Sequence, residues 1–181
     1  MTETETTVVQ GYRSVGEGRL REVVGRGLEE FGALVGQTIE HRPARTVTDT
    51  DHAMTLALTG NVAPVHSDTQ FCQRTGRERP LVCGVVTLGL AVGASVRSTS
   101  GLTTANLSLD EVRFEQPVHV GDTLRAETEV LSARPSASRP GQGVVTVRTS
   151  AFNQLNQRVI TLTRAFLVPA DATAVRTATA Y

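Results

Sequence analysis

Residues 59–68, TGNVAPVHSD, combine side chains that can carry out acid–base chemistry. Asn61 is followed by Pro64 and then by His66, five positions after the asparagine. An imidazole titrates near neutral pH, so His66 can both take and give a proton. An asparagine cannot, but its amide can orient a water molecule or donate a hydrogen bond. The loop therefore predicts a site with one titrating group, where a second group would ordinarily be a carboxylate.

Ordinary structural roles compete with this interpretation. A loop histidine often lies at the surface or caps a helix, and asparagine tolerates the left-handed backbone of turns. Ser67 and Asp68 are expected to cap the next helix. The remaining histidines, His41, His52 and His119, have no supporting motif and are expected to be structural or exposed. Three hypotheses stay open for the loop: modified catalysis, other chemistry, and no catalysis.

The composition narrows the class of protein. The chain has 181 residues, 39% hydrophobic, with 18 basic and 18 acidic side chains and no net charge. This length suits one domain, and nothing in the charge balance attracts nucleic acid. Cys72 and Cys83 form neither a disulfide framework nor a metal-ligand spacing, so a reducing cytoplasm is expected. The polar N-terminus does not resemble a signal peptide, and no membrane span is expected.

The first half of the chain predicts helices around one strand. The predicted elements are a helix at 19–34, a strand at 37–47 bent at Pro43, a helix from Thr48 or Asp49 to Gly60, a short helix ending at Gly76, and a helix within 81–96. The last segment is apolar nearly all round, which is typical of a helix buried at the centre of a domain. Its glycines, Gly84, Gly89 and Gly93, are expected to let a sheet approach closely.

The second half predicts strands. Four segments alternate in polarity and are rich in β-branched residues: 104–116, 122–134, 142–154 and 157–168. With the strand near 37–47 they predict an α+β fold, an antiparallel sheet of about five strands wrapped around the central helix. The predicted domain spans 11–169, between a disordered tail at 1–10 and a C-terminal tail at 170–181.

The loop resembles the active-site motif of MaoC-like dehydratases, the (R)-specific enoyl-CoA hydratases and their relatives, which have the hot-dog fold. Their motif runs Thr-Gly-Asp-x-Asn-Pro-x-His, and an Arg-Pro-x-Val-x-Gly stretch opens the central helix. The corresponding residues here are Thr59, Gly60, Asn61, Pro64 and His66, then Arg79, Pro80, Val82 and Gly84. Asn61 replaces the usual aspartate and Ala63 the second asparagine. The resemblance covers roughly 37–168.

A narrower resemblance lies in the second half. The segment from Asn106 to Ile160 is similar to the subfamily of mesaconyl-CoA hydratases, also called β-methylmalyl-CoA dehydratases, and to relatives in polyketide gene clusters. The resemblance implies an enoyl-thioester hydratase or dehydratase, a hydro-lyase. Its substrate would be a CoA or carrier-protein thioester with a short, branched or carboxylated chain.

The resemblance also implies roles for individual residues. His66 would be the acid–base group, and Asn61 would orient water or substrate. The backbone N–H of Gly84, at the start of the central helix, would stabilise the negative oxygen of the thioester. Pro64 and Cys83 would line the substrate, although for Cys83 small buried packing is the alternative.

Arginines near the loop are candidates for phosphate or carboxylate contacts, because a guanidinium binds such groups through two donors. Arg79 and Arg139 are the principal candidates, with Arg74 and Arg77 beside them; solvated loops also collect arginines.

No metal, flavin or nicotinamide is expected, and coenzyme A or phosphopantetheine would be present only as part of the substrate. The resemblance implies a homodimer or higher homo-oligomer. The competing hypotheses are a thioesterase, a non-catalytic hot-dog subunit, and a natural-product enzyme that uses the same pocket for another reaction.

Overall fold

A five-stranded antiparallel sheet and one central helix dominate the computed structural model, which describes residues 11–179. The predicted tail at 1–10 lies outside these residues. The elements, in chain order, are β1 (Tyr12–Ser14), β2 (Leu20–Glu22), α1 (Leu28–Gly32), β3 (Thr38–Thr46), α2 (Asp49–Thr59), α3 (Pro64–Ser67), α4 (Thr69–Arg74), α5 (Gly84–Val96), β4 (Ala105–Phe114), β5 (Thr123–Pro135), β6 (Gln142–Phe152), β7 (Arg158–Pro169) and α6 (Ala172–Thr179).

The large sheet confirms the prediction of an α+β hot-dog fold with five strands. Its strands are ordered β3-β5-β6-β7-β4, and every neighbouring pair is antiparallel. The four predicted strands of the second half agree with β4 to β7 within about two residues at most ends. Alternation explains this success: along β5, Leu124, Ala126, Thr128 and Val130 are buried and the residues between them are not.

Helix α5 packs across one face of the sheet. Its buried Val86 and Ala91 belong to a core cluster with Leu124, Ile160 and Leu162 of the strands. The prediction of a fully buried helix was wrong, because the opposite side of α5 is exposed. Val85 is 54% exposed, and a methyl group added to either Gly89 or Gly93 would meet no atom within 4 Å. Those two glycines therefore do not serve close approach to the sheet.

The helix predicted at 19–34 was also wrong. The chain instead forms the β1–β2 hairpin and then the short α1. Gly25 explains the break, since its φ is +70° and a Cβ there would lie 2.3 Å from the Leu102 nitrogen. A continuous helix cannot accommodate such a residue without losing this contact.

The segment beyond Pro169, expected to be a tail, contains helix α6. A Cβ added to Gly27 would lie 2.8 Å from the Cβ of Ala172, so the glycine allows α6 to pack close to the N-terminus of α1. Arg176 of α6 is only 6% exposed and donates to the carbonyl of Gly25 and the carboxylate of Glu30.

The C-terminal end of α5 lies over buried polar residues of the sheet. Arg164 of β7 is 2% exposed and donates to the hydroxyls of Ser95 and Thr99. His41 of β3 bonds to the hydroxyls of Thr128 and Ser98. Burial, with a smaller contribution from the charge of Arg164, lowers the pKa of His41 to about 4. This histidine is therefore neutral and structural, which is one of the two alternatives, structural or exposed, that the sequence left open.

Candidate active site

Helix α2 and its end set the position of the loop. Thr48 caps the helix by accepting the N–H of Asp51, and Asp51 in turn accepts the N–H of Thr48. The helix ends at Gly60, whose φ of 63° is left-handed. Both limits agree with the prediction. Gly60 turns the chain so that Asn61 begins a separate, compact turn.

The contacts of Asn61 fix the orientation of its amide. Its Oδ1 accepts the N–H of Ala63 at 3.0 Å, and its Nδ2 lies 3.3 Å from the Sγ of Cys83. A backbone N–H can only donate, so the oxygen must face Ala63. One hydrogen of Nδ2 then points toward the sulfur, and the second is left as a donor. Asn61 is therefore both a turn residue and a donor next to the start of α5.

His66 lies in the single turn of α3, which begins with Pro64 at its first position. Its Nδ1 is 2.9 Å from the carbonyl oxygen of Leu81, and a carbonyl can only accept. The neutral ring must therefore carry its hydrogen on Nδ1, leaving a lone pair on Nε2. No hydrogen-bond partner of Nε2 lies among residues 11–179. The ring is half-buried and oriented as a base.

Gly84 is the first residue of α5, three positions after the Leu81 that holds His66. Within the described chain its N–H has no acceptor, as expected for the first turn of a helix. A Cβ at this position would lie 2.9 Å from Cζ of Phe114. The N–H thus lies at the positive end of the helix dipole, and the absence of a Cβ on Gly84 lets the Phe114 ring pack against the start of the helix.

His52 was missed as a site residue. Its Nε2 is 2.7 Å from the carbonyl oxygen of His66, and its Nδ1 is 3.4 Å from the backbone nitrogen of Cys83. The rings of His52 and His66 are 6.3 Å apart, edge to face. A signal was present in the sequence, since His52, Thr55 and Leu56 recur at helical spacing and form the less exposed side of α2.

The other predicted residues lie at different distances from the loop. Pro64 and buried Cys83 lie beside His66 and Asn61, and Cys83 contacts the Asn61 amide directly. Arg79 donates to the carbonyl of Val120 at 3.1 Å and helps line a cavity of about 370 Å³. Arg77, Leu81 and His119 also line this cavity. Because the Leu81 carbonyl accepts from His66, the cavity lies next to the residue that orients the proposed base. Arg74, by contrast, is an exposed residue at the end of α4.

Arg139 lies far from the loop in the same chain. It belongs to the β5–β6 turn, which follows the C-terminal end of β5, whereas Thr123 is at the N-terminal end of that strand. The His66 loop lies near the Thr123 end, because Leu81 donates to Val65 and Val82 donates to Val118. The thirteen residues of β5 separate its two ends by roughly 40 Å. One copy of the chain does not bring Arg139 and His66 together, and the role of Arg139 stays a prediction.

A larger cavity of about 460 Å³ lies along α5, beyond Gly84. Its lining includes Gly89 and Gly93 of the helix, Arg45 of β3 and Arg125 of β5. Gly89 follows Gly84 by five residues, or roughly 7.5 Å of helix. The missing side chains of the two glycines leave this space open.

Residues 11–179 contain neither a metal-ligand cluster nor a helix that could span a membrane. No cluster of three or more His, Cys, Asp or Glu in this range is arranged to hold a metal ion. None of its helices is long and apolar enough to cross a membrane.

Comparison with known proteins identifies the family. The family model described as "MaoC like domain" matches residues 30–152. The chain belongs to the MaoC-like domain family. Mesaconyl-CoA hydratase of Cereibacter sphaeroides is 33% identical over 144 residues, covering 80% of this chain and 41% of that protein. The chain therefore spans about two fifths of this curated relative.

Two solved structures extend the comparison. A putative MaoC domain protein dehydratase from Chloroflexus aurantiacus is 31% identical with a TM-score of 0.76, covering 82% of this chain and 42% of that one. A Mycobacterium tuberculosis protein described as having a double hot-dog fold is 25% identical with a TM-score of 0.74, covering 82% and 46%. The predicted family, subfamily resemblance and fold are confirmed.

Proposed function

We propose that the protein is a hydro-lyase that adds water to an enoyl thioester, or removes it from a 3-hydroxyacyl thioester. The observation that carries the proposal is the His66 ring, whose Nδ1–H is held by Leu81 while its Nε2 is left as a base. The unpaired N–H of Gly84 lies three residues after Leu81 in the sequence. The relatives named as hydratases and dehydratases support the same chemistry.

In the proposed hydration, Nε2 of His66 takes a proton from water as the water oxygen bonds to C3. The electron pair of the C2–C3 double bond moves toward the carbonyl, and the Gly84 N–H stabilises the resulting oxyanion. His66 then returns its proton to C2, so the net change is one water added. Dehydration follows these steps in reverse, with His66 first removing the proton from C2.

Asn61 enters this scheme as a donor. Its oxygen is occupied by the Ala63 N–H, so the remaining amide hydrogen can bind the attacking water or an oxygen of the substrate. A neutral donor is compatible with a carboxylate on the acyl chain, whereas an aspartate would repel it. This supports a short carboxylated or branched substrate, of the kind named for the mesaconyl-CoA relative.

The two cavities are suited to different parts of the thioester. The space along α5 lies beside Gly89, roughly 7.5 Å along the helix from Gly84, and we assign it to the acyl chain. Guanidinium groups of Arg45 and Arg125 border it, although each already contacts a carboxylate. The cavity beside Leu81 is lined by Arg77, Arg79 and His119 together with one carboxylate, Glu78. We assign it to the phosphates of coenzyme A or phosphopantetheine, because two guanidinium groups outnumber the single carboxylate. No other cofactor enters the proposal.

We further propose that the protein acts as a homodimer. The described chain exposes apolar side chains on edge strand β4, where Leu107, Leu109 and Phe114 are 47–57% exposed. A relative with a double hot-dog fold is about twice as long as the part that this chain covers. A second copy against β4 would supply the second hot-dog unit. We place the dimer in the cytoplasm, where the free thiols of Cys72 and Cys83 would remain reduced.

A mass-spectrometric assay tests the reaction. The purified protein is incubated with mesaconyl-CoA, with a four-carbon unbranched enoyl-CoA, and with their hydrated forms. We expect a mass change of one water, and we expect His66→Ala to lower kcat by about 10²- to 10⁴-fold because the general base is lost. Ser67→Ala, the adjacent exposed residue of α3, is the matched control and should keep normal turnover.

Other outcomes select other functions. Release of free thiol from a saturated acyl-CoA would indicate a thioesterase. A folded, dimeric protein that transfers no water to any thioester would contradict the proposal and favour a non-catalytic subunit or different chemistry in the same pocket.

Asn61→Asp tests the substrate class. Introducing a carboxylate should lower kcat/KM for mesaconyl-CoA about tenfold more than for the unbranched enoyl-CoA, because like charges then face each other across the site. Asn61→Ala separates the loss of the amide from the added charge. Equal effects of the aspartate on both substrates would contradict the assignment of a carboxylated acyl chain.

A further inference from the structure

His52 connects two backbone groups that belong to different parts of the proposed site. Its imidazole lies on α2, between the carbonyl of His66 at 2.7 Å and the N–H of Cys83 at 3.4 Å. His66 carries the proposed base, and Cys83 immediately precedes the proposed oxyanion donor, Gly84. One ring therefore contacts the segments that supply both groups.

These two contacts define the protonation state of His52. A carbonyl only accepts, so Nε2 must carry a hydrogen; a backbone N–H only donates, so Nδ1 must present a lone pair. A neutral ring protonated on Nε2 satisfies both contacts. His66 has the opposite tautomer, with its hydrogen on Nδ1 facing Leu81. The fold thus uses both nitrogens of His52 but one nitrogen of His66.

We propose that His52 is a positioning residue for the reaction, which fixes the separation between the His66 imidazole and the Gly84 N–H. The inference rests on the proposed function. The Cys83 N–H is occupied by His52, so Gly84 becomes the first unpaired donor of α5. The His66 carbonyl is held by His52, which restrains the backbone that carries the ring. Errors of about 1 Å in such geometry can reduce rates by about 100-fold.

The surrounding structure does not depend on His52 alone. Leu81 donates its N–H to Val65 at 3.0 Å, and Val82 donates to Val118 at 2.8 Å. These bonds hold the loop and the start of α5 to their neighbours independently. Loss of the His52 ring should therefore leave the fold in place while loosening the relation between the two reacting groups. A positioning role therefore predicts a lower kcat at an unchanged melting temperature, whereas a purely structural role predicts a lower melting temperature.

Three substitutions of His52 test the contact with the His66 carbonyl and the contact with the Cys83 N–H separately. His52→Phe removes both. In His52→Gln the side-chain amide nitrogen reaches the place of Nε2, so the bond to the His66 carbonyl can be kept. In His52→Asn the side-chain oxygen takes the place of Nδ1, so the bond from Cys83 can be kept. Thr55→Val is the matched control, because Thr55 lies on the same side of α2 and bonds only within the helix.

The experiment measures kcat and KM for each variant, the melting temperature, and hydrogen exchange of the Cys83 amide. We expect His52→Phe to lower kcat by about 10- to 100-fold with KM changed less than about threefold. His52→Gln should recover most of kcat, whereas His52→Asn should recover the slow exchange of the Cys83 amide. Thr55→Val should match the wild type in all measurements.

The outcomes distinguish this inference from the proposed function. An inactive wild-type protein would overturn both. An active wild type with unchanged kcat in His52→Phe would overturn the positioning role only. So would equal protection of the Cys83 amide in the wild type and in His52→Phe, or a loss of kcat that merely follows the unfolded fraction.

Discussion

The two ends of α5 are built in opposite ways. At the N-terminal end the chain places glycine, leaves the Gly84 N–H unpaired, and brings the Asn61 amide and the His52 ring into contact with the preceding residue, Cys83. At the C-terminal end arginines satisfy the backbone and hydroxyl groups. Arg26 donates to the carbonyl of Ser98, and Arg164 donates to Ser95 and Thr99.

This difference separates function from stability along one helix. Cations near a helix C-terminus stabilise its unpaired carbonyls, so Arg26, which donates to the Ser98 carbonyl, has a structural explanation. At the N-terminal end the Gly84 N–H has no acceptor in the described chain, and a thioester oxyanion would supply one. We therefore expect substitutions at the N-terminal end to change turnover, and substitutions at the C-terminal end to leave turnover normal whatever they do to the free energy of unfolding.

The largest effect expected at the C-terminal end comes from pH. His41 has a native pKa of about 4, below its ordinary value of 6.5, so the unfolded chain binds the proton first as the pH falls. The free energy of unfolding should drop between about pH 6.5 and pH 4, by up to about 3 kcal/mol. Urea unfolding of wild type and His41→Gln at pH 7, 5.5 and 4.5 measures this. Parallel pH profiles of the two proteins would show that His41 does not contribute.

At the N-terminal end, Gly84→Ala is expected to lower kcat/KM by about 10- to 100-fold, because the added methyl group occupies the approach to the N–H. The methyl group also meets the Phe114 ring at 2.9 Å. Adding Phe114→Leu should relieve that contact and restore the melting temperature without restoring turnover. Recovery of full activity in the double variant would mean that the glycine serves only the packing of Phe114.

The smallest effect is expected for Arg164→Met. The buried guanidinium has no carboxylate contact among the described residues, and its Nε lacks a hydrogen-bond partner. Ser95 and Thr99 also donate to the carbonyls of Val92 and Ser95, so their hydroxyls remain bonded without it. Methionine should therefore leave the free energy of unfolding unchanged or raise it by about 1 kcal/mol, at normal turnover. A large loss of stability would mean that the charge is needed.

The same substitution should raise the pKa of His41, because the charge of Arg164 is one of the two causes that lower it. Burial is the larger cause, so the pKa should stay below 6.5. Titration of the His41 ring followed by NMR measures the change, with the wild type as reference.

Local patterns predicted those parts of the molecule that local forces determine. The alternation of β5 and the capping residues Thr48 and Gly60 gave nearly correct boundaries. The helix at 19–34 failed because the constraint on Gly25 comes from Leu102, a contact that neighbouring residues do not encode. Motif spacing selected His66 and Asn61 as candidates, and their roles in the reaction stay predictions. The helical spacing of His52 with Thr55 and Leu56 indicates one side of α2, but the two partners of His52 lie on other elements and cannot be read from that spacing.

The position of β7 has a practical consequence for making shorter versions of the protein. The family match ends at residue 152, before β7 begins at Arg158. In the sheet, however, β7 lies between β6 and β4, and β4 pairs with no other strand among the described residues. A fragment cut at the limits of the match would lose an internal strand and leave β4 without a neighbour. A shortened chain should therefore extend past Pro169, and through α6 to retain the ion pair between Arg176 and Glu30.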